Sequence, residues 1–138
     1  NLGKFIRHVV IDLSITLLLP IAFAIVISEG ISKVWERSRP FVADKSVHLL
    51  IAHSADGGFP SHHMTVMVAI AVAMYYRNHN FGITLLALSF LSGIARVGAG
   101  IHYPTDIIAG ALIGWAVAYL SHRYTRELRL RLLNAELR

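Results

Sequence analysis

The sequence predicts an all-α fold: a polytopic bundle of about four transmembrane helices, forming a single integral-membrane domain over residues 1–138. Composition is the first observation behind this prediction. Hydrophobic residues make up 55% of the chain and charged residues 15%, with a mean hydropathy of +0.57, whereas soluble domains carry about a quarter charged residues. The second observation is that the apolar residues are concentrated in long runs. A soluble fold would expose much of that apolar surface to water.

Four apolar runs are candidates for membrane-spanning helices. They cover residues 9–31, 64–76, 81–97 and 106–120. Asp12 and Pro20 interrupt the first run. The second and fourth runs need their polar flanking turns to reach the roughly 20 residues that a crossing requires. In the fourth run, Gly110 and Gly114 have the spacing that favours close helix packing in lipid. Because the chain begins with Asn and not Met, we also expect residues, or a whole helix, upstream.

The charged residues indicate a membrane environment and an orientation. The net charge of +5 would suit nucleic acid, but most cations flank the apolar runs, as membrane-anchoring charges do. We therefore expect a lipid bilayer as partner, no nucleic acid, and no obligate protein partner. A cytoplasmic N-terminus places more of the cations inside. The loops over residues 37–63 and 95–106 then lie on the outer side. The absence of cysteine excludes disulfides, thiolate zinc sites and cysteine nucleophiles.

These two outer loops are dense in Arg, His, Ser and Asp. They should bring six such residues to one membrane surface: Arg39, Ser61, His63, Arg96, His102 and Asp106. Ionisable groups at membrane depth are costly and are usually functional. Each residue alone also has an ordinary explanation, as an interfacial anchor, a helix cap or a packed polar group. Six such residues in two loops favour a functional site.

The residue types suit phosphate chemistry. Two arginines match phosphate oxygens bidentately, and Ser61 can cap a helix whose first amides favour an anion. Asp106 lies four residues after His102, so its carboxylate can hold one ring nitrogen and make His102 a candidate nucleophile. His63 is then available as a general acid.

A metal site is the competing interpretation of the histidines. His62, His63 and His102 could gather a zinc ion. Two arginines close by would repel a cation, however, so we expect neither a metal nor another cofactor.

Three blocks of the sequence resemble the motifs of the type 2 phosphatidic acid phosphatase superfamily. They are "RP" at 39–40, "PSHH" at 60–63, and Arg96-x5-His102-x3-Asp106, and the resemblance extends over about residues 33–119. The segments "RPFVA", "AHSADGGFPS", "YYRN" and "GIHYPTDIIAGAL" are most similar to bacterial undecaprenyl-diphosphate phosphatases of the bacitracin-resistance type. That resemblance implies a multi-pass enzyme of the bacterial inner membrane that serves cell wall biogenesis, with its active site facing the periplasm or cell exterior.

The resemblance also implies a reaction and the role of each residue. Undecaprenyl diphosphate would be hydrolysed to undecaprenyl phosphate and inorganic phosphate through a phosphohistidine, without a metal. The implied roles are Arg39, Arg96, Ser61 and the neighbouring amide of His62 as phosphate ligands, His102 as nucleophile, Asp106 as its partner and His63 as acid.

The sequence departs from the family pattern at three positions. The family's lysine seven positions before the motif arginine is Ser32 here. Lys33 is displaced by one position, which on a helix rotates the side chain by about 100°. Lys33 is therefore only an additional candidate for a phosphate ligand. His62 replaces the usual glycine, and we expect its ring to contact a second phosphate or the headgroup region. Ala95 replaces a serine that often precedes the third-motif arginine.

Two alternative functions stay open. The substrate could instead be phosphatidylglycerol phosphate or phosphatidic acid. A function of a different class is also possible: the chain could be a non-enzymatic phosphate-binding transporter or module, in which the Arg/His cluster only binds phosphate. The superfamily's soluble haloperoxidases are disfavoured, because four long apolar runs have no use in a soluble enzyme.

Overall fold

The computed structural model describes the backbone of residues 2–136, and their side chains except those of residues 4, 5, 7, 8 and 128–136. Within this range the chain forms helices and loops, with no strand. The helices are α1 (Leu2–Val34), α2 (Pro40–Ala43), α3 (His62–Tyr75), α4 (His79–Gly98) and α5 (Pro104–Glu136). The all-α prediction is confirmed.

Three of the described helices contain segments long and apolar enough to cross a membrane. These segments are Val9–Val34, His79–Gly98 and Pro104–Glu127. The first contains Pro20, yet α1 continues through it. Asp12, the other interruption of this run, pairs with Arg77 just beyond α3.

The second predicted span forms α3, which is shorter than α1, α4 and α5. Helix α3 has 14 residues, or about 21 Å, against a hydrocarbon thickness of about 30 Å. The polar turn before it does not extend the helix, because Ser61 has extended backbone and caps the helix by accepting a hydrogen bond from the Met64 amide. A crossing by this run, and hence a total of four, stays a prediction.

Helix α3 lies at the centre of the bundle, where it packs against α1, α4 and α5. The buried core around it consists mainly of small or β-branched side chains: Ala24, Val68, Ala69, Val72, Val117 and Ala118, with Met64. Many large side chains, such as Leu18, Phe90 and Trp115, instead lie exposed on the outside of the helices. This distribution is typical of helices that pack through small residues and face lipid with large ones.

Two glycines let α5 approach α3 as closely as their spacing predicted. A Cβ atom on Gly114 would lie 2.3 Å from the Thr65 carbonyl oxygen, and one on Gly110 would lie 2.7 Å from the Ser61 carbonyl oxygen. At the end of this contact, the Ser61 amide donates a hydrogen bond of 3.1 Å to the Asp106 carbonyl. The starts of α3 and α5 are therefore fixed against each other.

We expect Gly114→Ala to destabilise the bundle, because the added methyl group must push two backbones apart. Overpacking of this kind costs about 1–3 kcal/mol. Gly30→Ala is the matched control, since Gly30 is also helical and a Cβ there meets nothing within 4 Å. The measurement is the apparent melting temperature in detergent, which should fall for Gly114→Ala and stay level or rise for Gly30→Ala. Equal melting temperatures would contradict the close contact.

Candidate active site

The two polar loops meet at one end of the bundle, as the sequence predicted. Arg39 follows α1, Ser61 and His63 lie at the start of α3, and Arg96, His102 and Asp106 lie at the end of α4 and the start of α5. Arg39 and His102 are in direct contact. The charges of Arg96 and Arg39 both act on His63 and on His102. The structure therefore brings all six residues into one cluster.

Arg39 is almost completely buried, with 3% of its surface exposed. Its NH1 group donates to the Ile101 carbonyl and to His102 Nε2, both at 3.3 Å. Its Nε and NH2 groups donate to the Asp56 carboxylate at 3.0 and 2.8 Å. Pro40 begins α2 immediately after Arg39, whose own backbone is extended. Each nitrogen of this guanidinium therefore has a protein partner.

Asp56 was not singled out by the sequence analysis. Its side chain is 63% exposed, although it forms an ion pair with the buried Arg39. Partial burial alone would raise the pKa of Asp56, but the hydrogen bonds and the positive charge of Arg39 outweigh it and hold the pKa below its usual range. An exposed carboxylate thus occupies one edge of a buried arginine.

His102 is buried, and both of its ring nitrogens have partners. Nδ1 lies 3.0 Å from the Gly58 carbonyl oxygen, which can only accept a hydrogen bond. The hydrogen is therefore assigned to Nδ1, and Nε2 presents its lone pair towards Arg39 NH1. Burial, followed by the charge of Arg39, lowers the pKa of His102 to about 4. The ring is accordingly a neutral imidazole with its basic nitrogen directed at the arginine.

Asp106 lies near His102 but is not its closest acceptor. Asp106 Oδ2 is 3.6 Å from His102 Nδ1, which is beyond hydrogen-bond distance. The sequence predicted a direct carboxylate–imidazole contact, and the Gly58 carbonyl takes that position instead. The physical reason is the helix start: Oδ2 accepts a hydrogen bond of 2.8 Å from the Tyr103 amide, an orphan donor at the N-terminus of α5. The negative charge nevertheless stays beside the ring.

Arg37 is a second contributor that the sequence analysis missed, having counted it only as a loop cation. Its NH1 group donates to Asp106 Oδ1 at 2.8 Å and to Thr105 Oγ1 at 2.7 Å. Its guanidinium carbon lies 4.3 Å from the centre of the Tyr103 ring. A signal was available in the sequence: Arg37 and Arg39 are two residues apart, and such residues share one side of an extended segment.

Arg96 carries an unsatisfied donor. Its Nε is buried and has no hydrogen-bond partner within the part of the chain that the structure describes. A buried N–H without a partner is costly, and its position beside His102 suits an anion.

The remaining predicted site residues occupy different environments. Ser61 is fully buried at the cap of α3, and His63 is exposed in its first turn. The His62 ring lies with Nδ1 2.8 Å from Ser28 Oγ on α1. Nδ1 of this ring is thus bonded to α1, and contact of the ring with a second phosphate or the headgroup region stays a prediction. Lys33 is exposed and lines a neighbouring cavity of about 500 Å³ together with Arg37 and Asp56.

The described residues contain no group of three or more His, Asp or Glu side chains that could hold a metal ion. Arg39 donates towards His102 Nε2, and the charge of Arg96 also acts on this ring. Guanidinium groups there can neutralise an anion, and the neutral imidazole can act as a nucleophile or a base.

We expect the His102 ring to titrate near pH 4 in the folded protein. An unfolded chain takes up this proton near pH 6.5, so lowering the pH from about 6.5 towards 4 should progressively remove the stability that His102 contributes. Histidine ring ¹⁵N shifts in detergent, assigned with a His102→Gln variant, measure the midpoint. A midpoint near 6.5 would show that burial and Arg39 do not control the ring.

Comparisons with known proteins agree with this architecture. The chain is 39% identical to "Undecaprenyl-diphosphatase BcrC" of Bacillus subtilis over 105 residues, which are 76% of this chain and 54% of that protein. It is 35% identical to "Bacitracin transport permease protein BcrC" of Bacillus licheniformis, over 66% of this chain and 47% of that protein. The chain thus spans about half the length of these curated relatives.

A solved structure extends the comparison to the fold. The "Crystal structure of Aquifex aeolicus LpxE" superposes with a TM-score of 0.75 and 27% identity, covering 88% of this chain and 78% of that one. The family model described as the PAP2 superfamily matches residues 13–130. With most of its length matched by that model, and with the third motif assembled around one buried histidine, the chain belongs to the PAP2 superfamily.

Proposed function

We propose that this chain carries the active site of a membrane lipid phosphatase that hydrolyses a lipid diphosphate, with undecaprenyl diphosphate as the substrate. One observation carries the proposal: the lone pair of a neutral, buried His102 faces the Arg39 guanidinium at 3.3 Å. The charge of Arg96, whose Nε is buried without a partner among the described residues, also acts on this ring. A nucleophile and phosphate-binding groups thus share one small space. The similarity to the undecaprenyl-diphosphatase of Bacillus subtilis supports the diphosphate as substrate.

In the first step, His102 Nε2 attacks the terminal phosphorus. The P–N bond forms while the bond from phosphorus to the bridging oxygen breaks, and undecaprenyl phosphate leaves. Arg39 NH1 now donates to Nε2, so a phosphate oxygen must take over that donor before the attack. Arg39 and Arg96 then stabilise the charge that develops on the equatorial oxygens.

Two further residues manage protons and charge. His63, exposed at the first turn of α3, donates its proton to the departing bridging oxygen. The Asp106 carboxylate, 3.6 Å from Nδ1, offsets the positive charge that the phosphohistidine ring gains. Water then attacks phosphorus and gives a proton to His63, which had lost its own in the first step. The P–N bond breaks, its electron pair returns to Nε2, and inorganic phosphate is released as His102 becomes neutral again.

The proposed setting is the inner membrane of a bacterium, with the active site on the periplasmic or exterior side. The three apolar segments and the membrane relatives support the membrane location. The distribution of Lys and Arg along the sequence supports the orientation. The lipid tail would lie among the exposed apolar side chains while the headgroup reaches the loops.

Phosphate release from detergent-solubilised protein tests the function. We expect turnover of undecaprenyl diphosphate in EDTA, with lower rates on phosphatidylglycerol phosphate and phosphatidic acid. His102→Ala should abolish turnover, and Asp106→Asn should leave a reduced rate because the nucleophile remains while the charge beside it is lost. Lys45→Gln, which removes an exposed loop cation, is the control.

Each competing function has its own outcome in this assay. Faster release from phosphatidic acid would reassign the substrate. Saturable binding without release would indicate a phosphate-binding module. Near-normal turnover by His102→Ala would contradict the mechanism, and activity lost in EDTA but restored by zinc or magnesium would contradict metal independence.

Asp56 should compete with phosphate for Arg39, because its carboxylate holds the Nε and NH2 donors that a phosphate needs. Because the Asp56 side chain is 63% exposed, solvent screens this attraction, which we take as about 1 kcal/mol, the upper end for surface ion pairs. We therefore expect Asp56→Asn to strengthen inhibition by inorganic phosphate by up to about fivefold. Asp44→Asn is the matched control, since Asp44 is an exposed carboxylate of the same loop that bonds to Ser46. Weaker inhibition in Asp56→Asn would mean that Asp56 instead orients Arg39 for the substrate.

A further inference from the structure

We infer that Arg37 is a positioning residue of the reaction: it holds the Asp106 carboxylate against His102 and does not bind the substrate itself. The inference rests on the proposed function, because it concerns the partner of the proposed nucleophile. Family resemblance assigned no role to Arg37. The inference is drawn from the contacts around Asp106.

The two oxygens of Asp106 have separate tasks. Oδ1 accepts from Arg37 NH1 at 2.8 Å. Oδ2 accepts from the Tyr103 amide at 2.8 Å and is the oxygen nearest to His102 Nδ1, at 3.6 Å. Arg37 and the Tyr103 amide thus each hold one oxygen, and together they fix the plane of the carboxylate. Without Arg37 only Oδ2 would be held, so the carboxylate could pivot about that bond and the charge facing the ring would shift.

Burial makes this contact energetically important. The Asp106 side chain is 0% exposed, and leaving a buried carboxylate without a compensating cation costs several kcal/mol. Arg37 is the cation that contacts it directly among the described residues. Asp106 can remain a stable negative charge beside His102 because Arg37 is there.

Arg37 is itself held in place by contacts to three neighbouring residues. The same NH1 nitrogen that contacts Asp106 also donates to Thr105 Oγ1 at 2.7 Å, and the guanidinium stacks over the Tyr103 ring. All three contacts lie at the start of α5. Arg39, two residues on, faces His102 instead. Arg37 and Arg39 thus have different partners.

In a merely structural role, Arg37 would only attach the loop after α1 to the start of α5. That role predicts a loss of stability on substitution but no specific coupling to Asp106. A substrate-binding role predicts a raised KM. A double-mutant cycle separates both from positioning, because a residue that acts through Asp106 has no further effect once Asp106 is changed.

The experiment compares R37Q, D106N and the double variant in the phosphate-release assay on undecaprenyl diphosphate. Losing a hydrogen bond to a charged group costs about 1.5–3 kcal/mol, so R37Q should lower kcat by roughly tenfold to a hundredfold. KM and inhibition by inorganic phosphate should change less than about twofold. In the D106N background, R37Q should lower kcat by less than about twofold. Lys45→Gln controls for the loss of one loop cation.

Three results would overturn the inference. They are a kcat loss that persists at full size in D106N, a raised KM, and weaker inhibition by inorganic phosphate. If R37Q does not accumulate in membranes, R37K takes its place in the experiment. Any loss of kcat that R37K causes must then be absent in the D106N background. Full activity of R37K supports the inference, since one cationic nitrogen makes both polar contacts. A different result would contradict the proposed function itself: turnover that does not depend on His102.

Discussion

The close approach of α5 to α3 is the constraint on which the site depends. Gly110 and Gly114 remove the side chains that would separate the two helices, and the Ser61 amide can then bond to the Asp106 carbonyl. Because that bond joins the first turns of both helices, Ser61 and the polar residues after it share one surface with His102. Helix packing in the apolar interior thus sets distances between polar groups at the end of the bundle.

The site contains two carboxylates whose environments give them different properties. Asp56 is largely exposed, so water screens its attraction to Arg39 and can solvate the carboxylate when an incoming anion displaces it. Asp106 is fully buried, so its carboxylate has no water to replace Arg37 and depends on that contact. The first is suited to exchange with phosphate, and the second to remain in place through the reaction.

Sequence patterns predicted the helices and the convergence of the polar loops because both follow from residue types and spacing. Apolar runs identify helices directly, and Gly110 and Gly114 identify a packing face. The Gly58 carbonyl that holds His102 could not be predicted, because any residue offers such a carbonyl. The Ser28 contact that turns the His62 ring towards α1 joins residues 34 apart and depends on how two helices rotate. Arg37 looked like an ordinary loop cation because its partner, Asp106, is 69 residues away.

In the proposed reaction, the arginines also connect substrate binding to the reactivity of the histidine. Burial and the charge of Arg39 hold the pKa of His102 at about 4, so the ring is unprotonated and its lone pair is preserved. A bound phosphate would neutralise much of that positive charge and remove part of the force that keeps the ring neutral. The ring gains positive character as the P–N bond forms, so a phosphate between the arginines and His102 would favour that change. In the proposed reaction, the arginines would thus keep His102 unprotonated before the anion binds. Once the anion is bound, they would no longer oppose the positive charge that the ring gains.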